Sequence, residues 1–257
     1  MTVAHDPRLG RIADTHPHPL LFATISGAHL YGFESPDSDY DLRGVHLLPL
    51  AQVIGLESGQ QTIERAEIVE GLDLDLVTHD VAKFLRLMAK RNGYVLEQLL
   101  SPLVVRTSDE HRELIEIAPR MLTRGHSLHY LGFAQTQLGL LEKEDPPRVK
   151  TLLYLYRVLM TGIRLMRSGV IEADLRKLND EFALSWIPDL IRRKTTKTEK
   201  TTLDARELDF HLNECAKLRA ELEASALRSQ LPDFPTGVRA LDDLLVRVRL
   251  NGIHALR

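Results

Sequence analysis

An apolar run from Leu20 to Ile25 is short enough to be a buried strand. A segment bounded by Gly27 and Gly32 follows, a turn or a short helix, and then four turn-favouring residues, Ser35-Pro36-Asp37-Ser38. From there polar and apolar positions alternate. Asp39 and Asp41 interleave with Tyr40 and Leu42, and the chain runs on through Val45, Leu47 and Leu48. Side chains two apart share one face of a strand, so Asp39 and Asp41 should stand side by side over an apolar reverse side. The same period of two returns in Leu72-Asp73-Leu74-Asp75-Leu76-Val77 and predicts a second half-buried strand, with Asp73 and Asp75 on its acidic face.

The period then changes. Val81, Phe84, Leu85 and Met88 fall on one face of a helix that Thr78 or Asp80 can cap, and Asn92-Gly93 reads as its end. Residues 94–100 read as a second short helix, with Glu97 in a structural role. Residues 109–122 and 126–141 read as amphipathic helices. The stretch Glu142-Lys143-Glu144-Asp145-Pro146-Pro147 punctuates the chain before a long helix over 149–168, which Gly169 ends. Residues 203–230 and 238–250 predict two more helices, which pack on the body or pair between subunits. Residues 1–19 read as a flexible lead-in, 50–70 as helix or loop, and the threonine-rich basic segment 192–202 as a mobile loop.

Composition adds bounds. The 257 residues are 44% hydrophobic and 27% charged, ordinary for a globular chain large enough for two parts. A formal net charge of −3 argues against a protein that coats nucleic acid with its whole surface, and leaves room for a local basic face. Cys215 is the single cysteine, so neither an intramolecular disulfide nor a cysteine-based metal site is available. With no apolar run of membrane-spanning length and no signal-peptide core, the expectation is a cytoplasmic protein without membrane partners.

Two carboxylates held as close as Asp39 and Asp41 repel unless a cation lies between them, and Mg2+ suits carboxylate oxygens combined with substrate phosphates. The glycine-led turn before them can offer backbone N–H groups to phosphate. Between Arg148 and Arg167 there are five basic residues and no acidic one. Lys150, Arg157 and Arg164 recur every seven residues, with Tyr154 and Thr161 between, so a helix gathers them on one face whose charge must be answered from elsewhere, by a triphosphate for example. Lys83, in the first turn of its helix, gains nothing from the helix dipole, which suits a substrate or carboxylate partner. His16 with His18, and His126 with His129, lack a third ligand and are not read as metal sites.

Gly27-x-x-x-Tyr31-Gly32 followed by Ser38-Asp39-x-Asp41-Leu42-x-Gly44 resembles the signature of the DNA polymerase beta-type nucleotidyltransferase superfamily. Within it, the match is closest to the predicted nucleotidyltransferases linked to RNA-repair polymerases. That group reads Gly-Ser-His-Ala-Tyr-Gly, then Ser-Pro-Asp-Ser-Asp-x-Asp-Leu-Arg-Gly-Val. The chain departs from it at Leu30 and at Ala28, where the pattern has a phosphate-holding serine; Ser26 stands one residue before Gly27 as a substitute. The pattern also sets its third aspartate eight residues before a Lys-Phe pair, which selects Asp75, ahead of Lys83-Phe84, over Asp73. A Lys, His, Arg series falls at Lys150, Tyr154 and Arg157, with tyrosine in place of histidine.

The resemblance implies an α+β fold, with a polymerase beta-like nucleotidyltransferase core (a small mixed sheet with helices, 1–105) and a mainly helical half (106–257) closing the nucleotide cleft. It implies catalytic, metal-binding Asp39, Asp41 and Asp75, two Mg2+ ions (Mn2+ as the alternative), and nucleotide contacts at Gly27, Ala28, Tyr31, Ser38, Lys83, Lys150, Tyr154 and Arg157. The implied reaction moves a nucleoside monophosphate from an NTP to an acceptor hydroxyl and releases pyrophosphate. An RNA end is the acceptor that fits the family name and the basic 192–200 segment; a protein or small-molecule hydroxyl is the alternative. Two rival readings are a non-catalytic nucleotide-binding regulator that keeps the fold, and an interaction protein, for instance a dimer built on the C-terminal helices.

Overall fold

The structure, a computed structural model, describes residues 6–196 and 201–252. Helix α1 (Pro7–Asp14) is capped by the Asp6 side chain and precedes strand β1 (Leu20–Ile25), the short helix α2 (Gly27–Tyr31) and strand β2 (Tyr40–His46). After α3 (Ala51–Ile54) come strands β3 (Thr62–Val69) and β4 (Leu72–Asp80), helices α4 (Val81–Ala89) and α5 (Gly93–Leu99), and the short strand β5 (Val104–Arg106). The remainder is helical: α6 (Asp109–Ile117), α7 (His126–Leu141), α8 (Val149–Ser168), α9 (Leu175–Phe182), α10 (Ile187–Thr196), α11 (Ala205–Arg228) and α12 (Val238–Asn251). The chain forms two compact units, each discontinuous in sequence: 1–27, 39–121 and 234–257 make one, 28–38 and 122–233 the other.

The first unit is built on a five-stranded mixed sheet in the order β3-β4-β2-β1-β5, in which β2 and β4 run parallel and the other pairs antiparallel. Alternation along the strands gives it two distinct faces. Ala23, Ile25, Leu42, Leu72, Leu74 and Leu76 point to one face, where Leu9, Ile12 and Ala13 of α1 close the core. On the other face Phe22 packs edge-on to Phe84 of α4 and stacks on His111 of α6. Helix α12 returns to this unit: Arg249 reaches the Leu48 carbonyl at 3.0 Å and the fully buried Asp80 carboxylate at 2.5 Å. Asp80 also caps α4 through the Ala82 N–H, one of the two caps that the sequence left open.

The second unit centres on α8, against which α7, α9, α10 and α11 pack. Gly162 permits the closest of these approaches: a Cβ there would lie 2.9 Å from Cβ of Tyr130 and 3.0 Å from Leu222. Four sequence expectations change. The lead-in contains α1, and His16 is tied down by Thr78 Oγ1 at 2.9 Å. Residues 62–69 form a strand, and Asn92 begins α5, accepting from the Tyr94 and Val95 N–H groups, while Arg91 takes the left-handed conformation at φ 64°. Residues 192–196 are the end of α10 and not a loop; Lys197 and Lys200 lie outside the described residues.

Candidate active site

Strands β2 and β4 pair so that Asp41 and Asp75 are register partners. The period of two then sets Asp41, Arg43 and Asp75 on the face opposite Leu42, Leu74 and Leu76. The Arg43 guanidinium lies between the two carboxylates. Its Nη2 donates to Asp41 Oδ1 at 2.6 Å and to Asp75 Oδ2 at 2.7 Å. Its Nη1 donates to the Asp75 carbonyl at 2.5 Å and the Leu42 carbonyl at 3.2 Å, and its Nε to the Tyr94 hydroxyl at 3.2 Å. Arg43 is 8% exposed, whereas the Asp75 side chain keeps 40% of its surface open. Burial works against the arginine's charge; Tyr94, Asp41 and Asp75 outweigh it and hold the pKa above the ordinary arginine value. The repulsion expected of close carboxylates is therefore answered by a side chain of the same strand. Sequence reasoning gave Arg43 no role, although its position two residues beyond Asp41 puts it on the same strand face.

Gly27 is shaped around Asp41. It has φ +60°, and a Cβ built on it would stand 1.7 Å from Asp41 Oδ2, so only a residue without a side chain lets that oxygen lie against the main chain. The Ser26 N–H donates to the Asp41 carbonyl at 2.8 Å and fixes this approach. The Ser26 hydroxyl is fully buried and has no hydrogen-bond partner among the described residues. Asp39 is half-buried in the residues leading into β2, and Asp73 is exposed opposite Ile68. Among the described residues no three His, Cys, Asp or Glu side chains stand together as a metal-holding group, so two carboxylates are what the sheet converges. Lys83 donates to Thr62 Oγ1 of β3, beside His79; four residues of strand place that end about 13 Å from Asp75.

In the second unit Ala28 and Tyr31 are buried, and the Arg157 guanidinium, itself fully buried, sits 4.0 Å above the Tyr31 ring. Tyr154 packs edge-on to Tyr31 and Phe33. Lys150 is half-buried in the first turn of α8. The far end of the basic stripe is answered within the unit: Arg164 pairs with Glu181 at 2.6 Å and Arg167 with Glu221 at 2.9 Å. The Ser38 hydroxyl accepts from Lys194 Nζ at 2.8 Å, and the Ser35 hydroxyl from the same ammonium at 2.7 Å. Lys194 is 1% exposed. A run of basic residues hid this lysine in the sequence, because its partners are more than 150 residues away along the chain.

A profile of RlaP, the RNA repair pathway DNA polymerase beta family, matches residues 1–247. An uncharacterised protein of Methanocaldococcus jannaschii is 33% identical over 156 residues, 60% of this chain and 63% of the relative. An uncharacterised protein of Bacillus subtilis is 27% identical over 167 residues, 63% of this chain and 62% of the relative. The chain thus spans less than two thirds of the length of either curated relative. A crystal structure of a nucleotidyltransferase-like protein from Exiguobacterium sibiricum aligns with 96% of this chain and 76% of its own, at 12% identity and a TM-score of 0.33.

Proposed function

The chain belongs to the RNA repair pathway DNA polymerase beta family, and from that premise we propose that it transfers a nucleoside monophosphate from an NTP to an acceptor hydroxyl. The acceptor oxygen attacks the α-phosphorus, the bond from that phosphorus to the bridging oxygen of the β-phosphate breaks, and pyrophosphate leaves. The hydroxyl proton passes to solvent. The observation that carries the proposal is the pair Asp41 and Asp75, in register on adjacent parallel strands and both within hydrogen-bond reach of Arg43 Nη2, with the Asp41 carboxylate packed against Gly27.

The donor set fits a divalent cation. Two carboxylates from rigid strands already hold a positive charge between them, and Mg2+ commonly takes one or two carboxylates and completes its shell with water and phosphate oxygens. Bound there, divalent ions would supply the Lewis acidity that lowers the pKa of an acceptor hydroxyl and offsets charge on pyrophosphate. Asp41 and Asp75 would hold them, and Asp39, which leads into β2 and stands apart from that pair in the structure, is the proposed third carboxylate. Gly27, against which Asp41 packs, is assigned to phosphate.

An RNA end is the proposed acceptor, on the strength of the family's description. Incubation with each labelled NTP, Mg2+ and either total RNA or total protein tests this. Label is expected in RNA, and should fall by about a hundredfold or more in Asp41→Asn and Asp75→Asn. Label retained in both variants refutes the assignment; label in protein moves the acceptor. Ala28, where the resemblance expects serine, favours a second reading, a nucleotide-binding regulator without catalysis. Its signature is NTP binding with no pyrophosphate released in the presence of any acceptor.

A further inference from the structure

The position of Arg43 carries one step more. We infer that Arg43 is the resident counter-cation of the carboxylate pair, and that a divalent ion loads the site only by taking Asp41 Oδ1 and Asp75 Oδ2 away from it. The inference rests on the function proposed above and assigns Arg43 a role in gating metal entry, as a positioning residue and not as a group that touches the reacting atoms.

The contacts of the guanidinium divide into two sets. Nη2 alone serves the two carboxylates. Nη1 and Nε are held by neutral oxygens: the carbonyls of Leu42 and Asp75 and the hydroxyl of Tyr94. A guanidinium is a rigid planar fork, so the neutral set keeps Arg43 seated whether or not Nη2 keeps its acidic partners. Asp41 has little freedom to turn elsewhere, since its Oδ2 lies against Gly27. Asp75 has more, with 40% of its side chain open to solvent. Without metal, then, the fork offsets one of the two negative charges that Asp41 and Asp75 hold in register on neighbouring strands. With metal, a fixed positive charge stands one carboxylate away and weakens every divalent ion that binds. The arriving nucleotide carries negative charge that offsets this penalty, so metal should enter with the NTP and only weakly before it.

The test is Mn2+ binding to the full chain, followed by electron paramagnetic resonance of free Mn2+, with melting temperatures measured in EDTA. Removing the charge in Arg43→Gln should tighten Mn2+ binding in the absence of nucleotide by about tenfold or more, since one fewer unit charge opposes the ion. The same variant should melt lower than wild type in EDTA and regain the loss when Mn2+ is added. Arg43→Lys keeps the charge and so the fold, but a point charge cannot bridge both carboxylates and hold three neutral oxygens, so its affinity should rise by about threefold. Asp75→Asn added to either variant should abolish the gain. Equal or weaker Mn2+ binding in both Arg43 variants, or unchanged melting of Arg43→Gln in EDTA, overturns the inference. If wild type transfers nucleotide while the Arg43 variants gain no affinity, the gating role alone fails. If no variant takes up Mn2+ and none transfers nucleotide, the function proposed above fails with it.

Discussion

Replacing Gly27 with alanine tests whether the glycine exists for the sake of Asp41. At φ +60° an alanine carries a left-handed penalty of ~1–2 kcal/mol. Its Cβ would also stand 1.7 Å from Asp41 Oδ2, so the carboxylate must move by about 1 Å or more to reach even a tight contact. Forcing Asp41 off its rotamer costs ~0.5–1.5 kcal/mol, and losing its charged hydrogen bond from Arg43 a further ~1.5–3 kcal/mol. The sum is on the order of 3–6.5 kcal/mol, a fall in melting temperature of roughly 10–20 °C for a chain of this size. Urea unfolding of Gly27→Ala in the wild-type and the Asp41→Ala backgrounds separates the parts. With the carboxylate gone the two shortest clashes disappear, the position-41 Cβ is left at a tight 3.0 Å, and the cost should fall to little more than the backbone penalty of ~1–2 kcal/mol. An equal cost in both backgrounds would show that Gly27 answers to the backbone alone.

The remaining predictions concern groups away from the carboxylate pair. His46 is fully buried, hydrogen-bonded to Thr78 and held down to about 4 by burial first, then by His16, with His18 and His79 in the same sense and Asp80 against it. A lowered pKa means that the folded state binds the proton less well than the unfolded state. The stability it contributes, ~3 kcal/mol, is complete above pH 6.5 and is lost as pH falls toward 4. Urea midpoints measured from pH 7.5 to 4 should fall across that window, and His46→Gln should flatten the slope. Arg249→Met strands the buried Asp80 carboxylate and should cost ~3–5 kcal/mol, and adding Asp80→Asn should recover much of it; a loss below ~1 kcal/mol would place the pair among ordinary surface contacts. Lys194→Met removes the ammonium shared by Ser35 and Ser38, so limited proteolysis should cut within 34–38 faster than in wild type. Unchanged cutting would mean that the turn holds itself.

What the sequence made legible followed from period. Residues 20–25, 40–46 and 72–80 announce themselves as strands because alternation or a continuous apolar run matches a sheet buried on one or both faces. The helices of the second half announce themselves by their stripes. Strand β3 did not, because it is an edge strand with no fully buried side chain; Glu64, Arg65 and Glu67 break any apolar alternation. Helix α1 contributes only three buried residues, too few for a stripe. Asn92 was readable as a boundary but not as which one, since asparagine suits both a helix start and a left-handed end. At the candidate site, the spacing of Asp39 and Asp41 and the acidic face of 72–77 pointed to carboxylates. The pairing register that sets Asp41 opposite Asp75, and the reach of Arg43 across it, belong to tertiary structure. So does the burial of Lys194, which a local window cannot distinguish from its solvated neighbours.

The most direct measurement is a crystal of the full chain grown with Mn2+ and a non-hydrolysable NTP, with data collected at the manganese absorption edge. The account predicts anomalous density bridging Asp41 and Asp75, with triphosphate oxygens completing the shell and the Arg43 guanidinium still seated on its neutral oxygens but no longer donating to Asp41 Oδ1 or Asp75 Oδ2. Nucleotide in place with no manganese at that pair, and Arg43 still donating to Asp41 and Asp75, would contradict it.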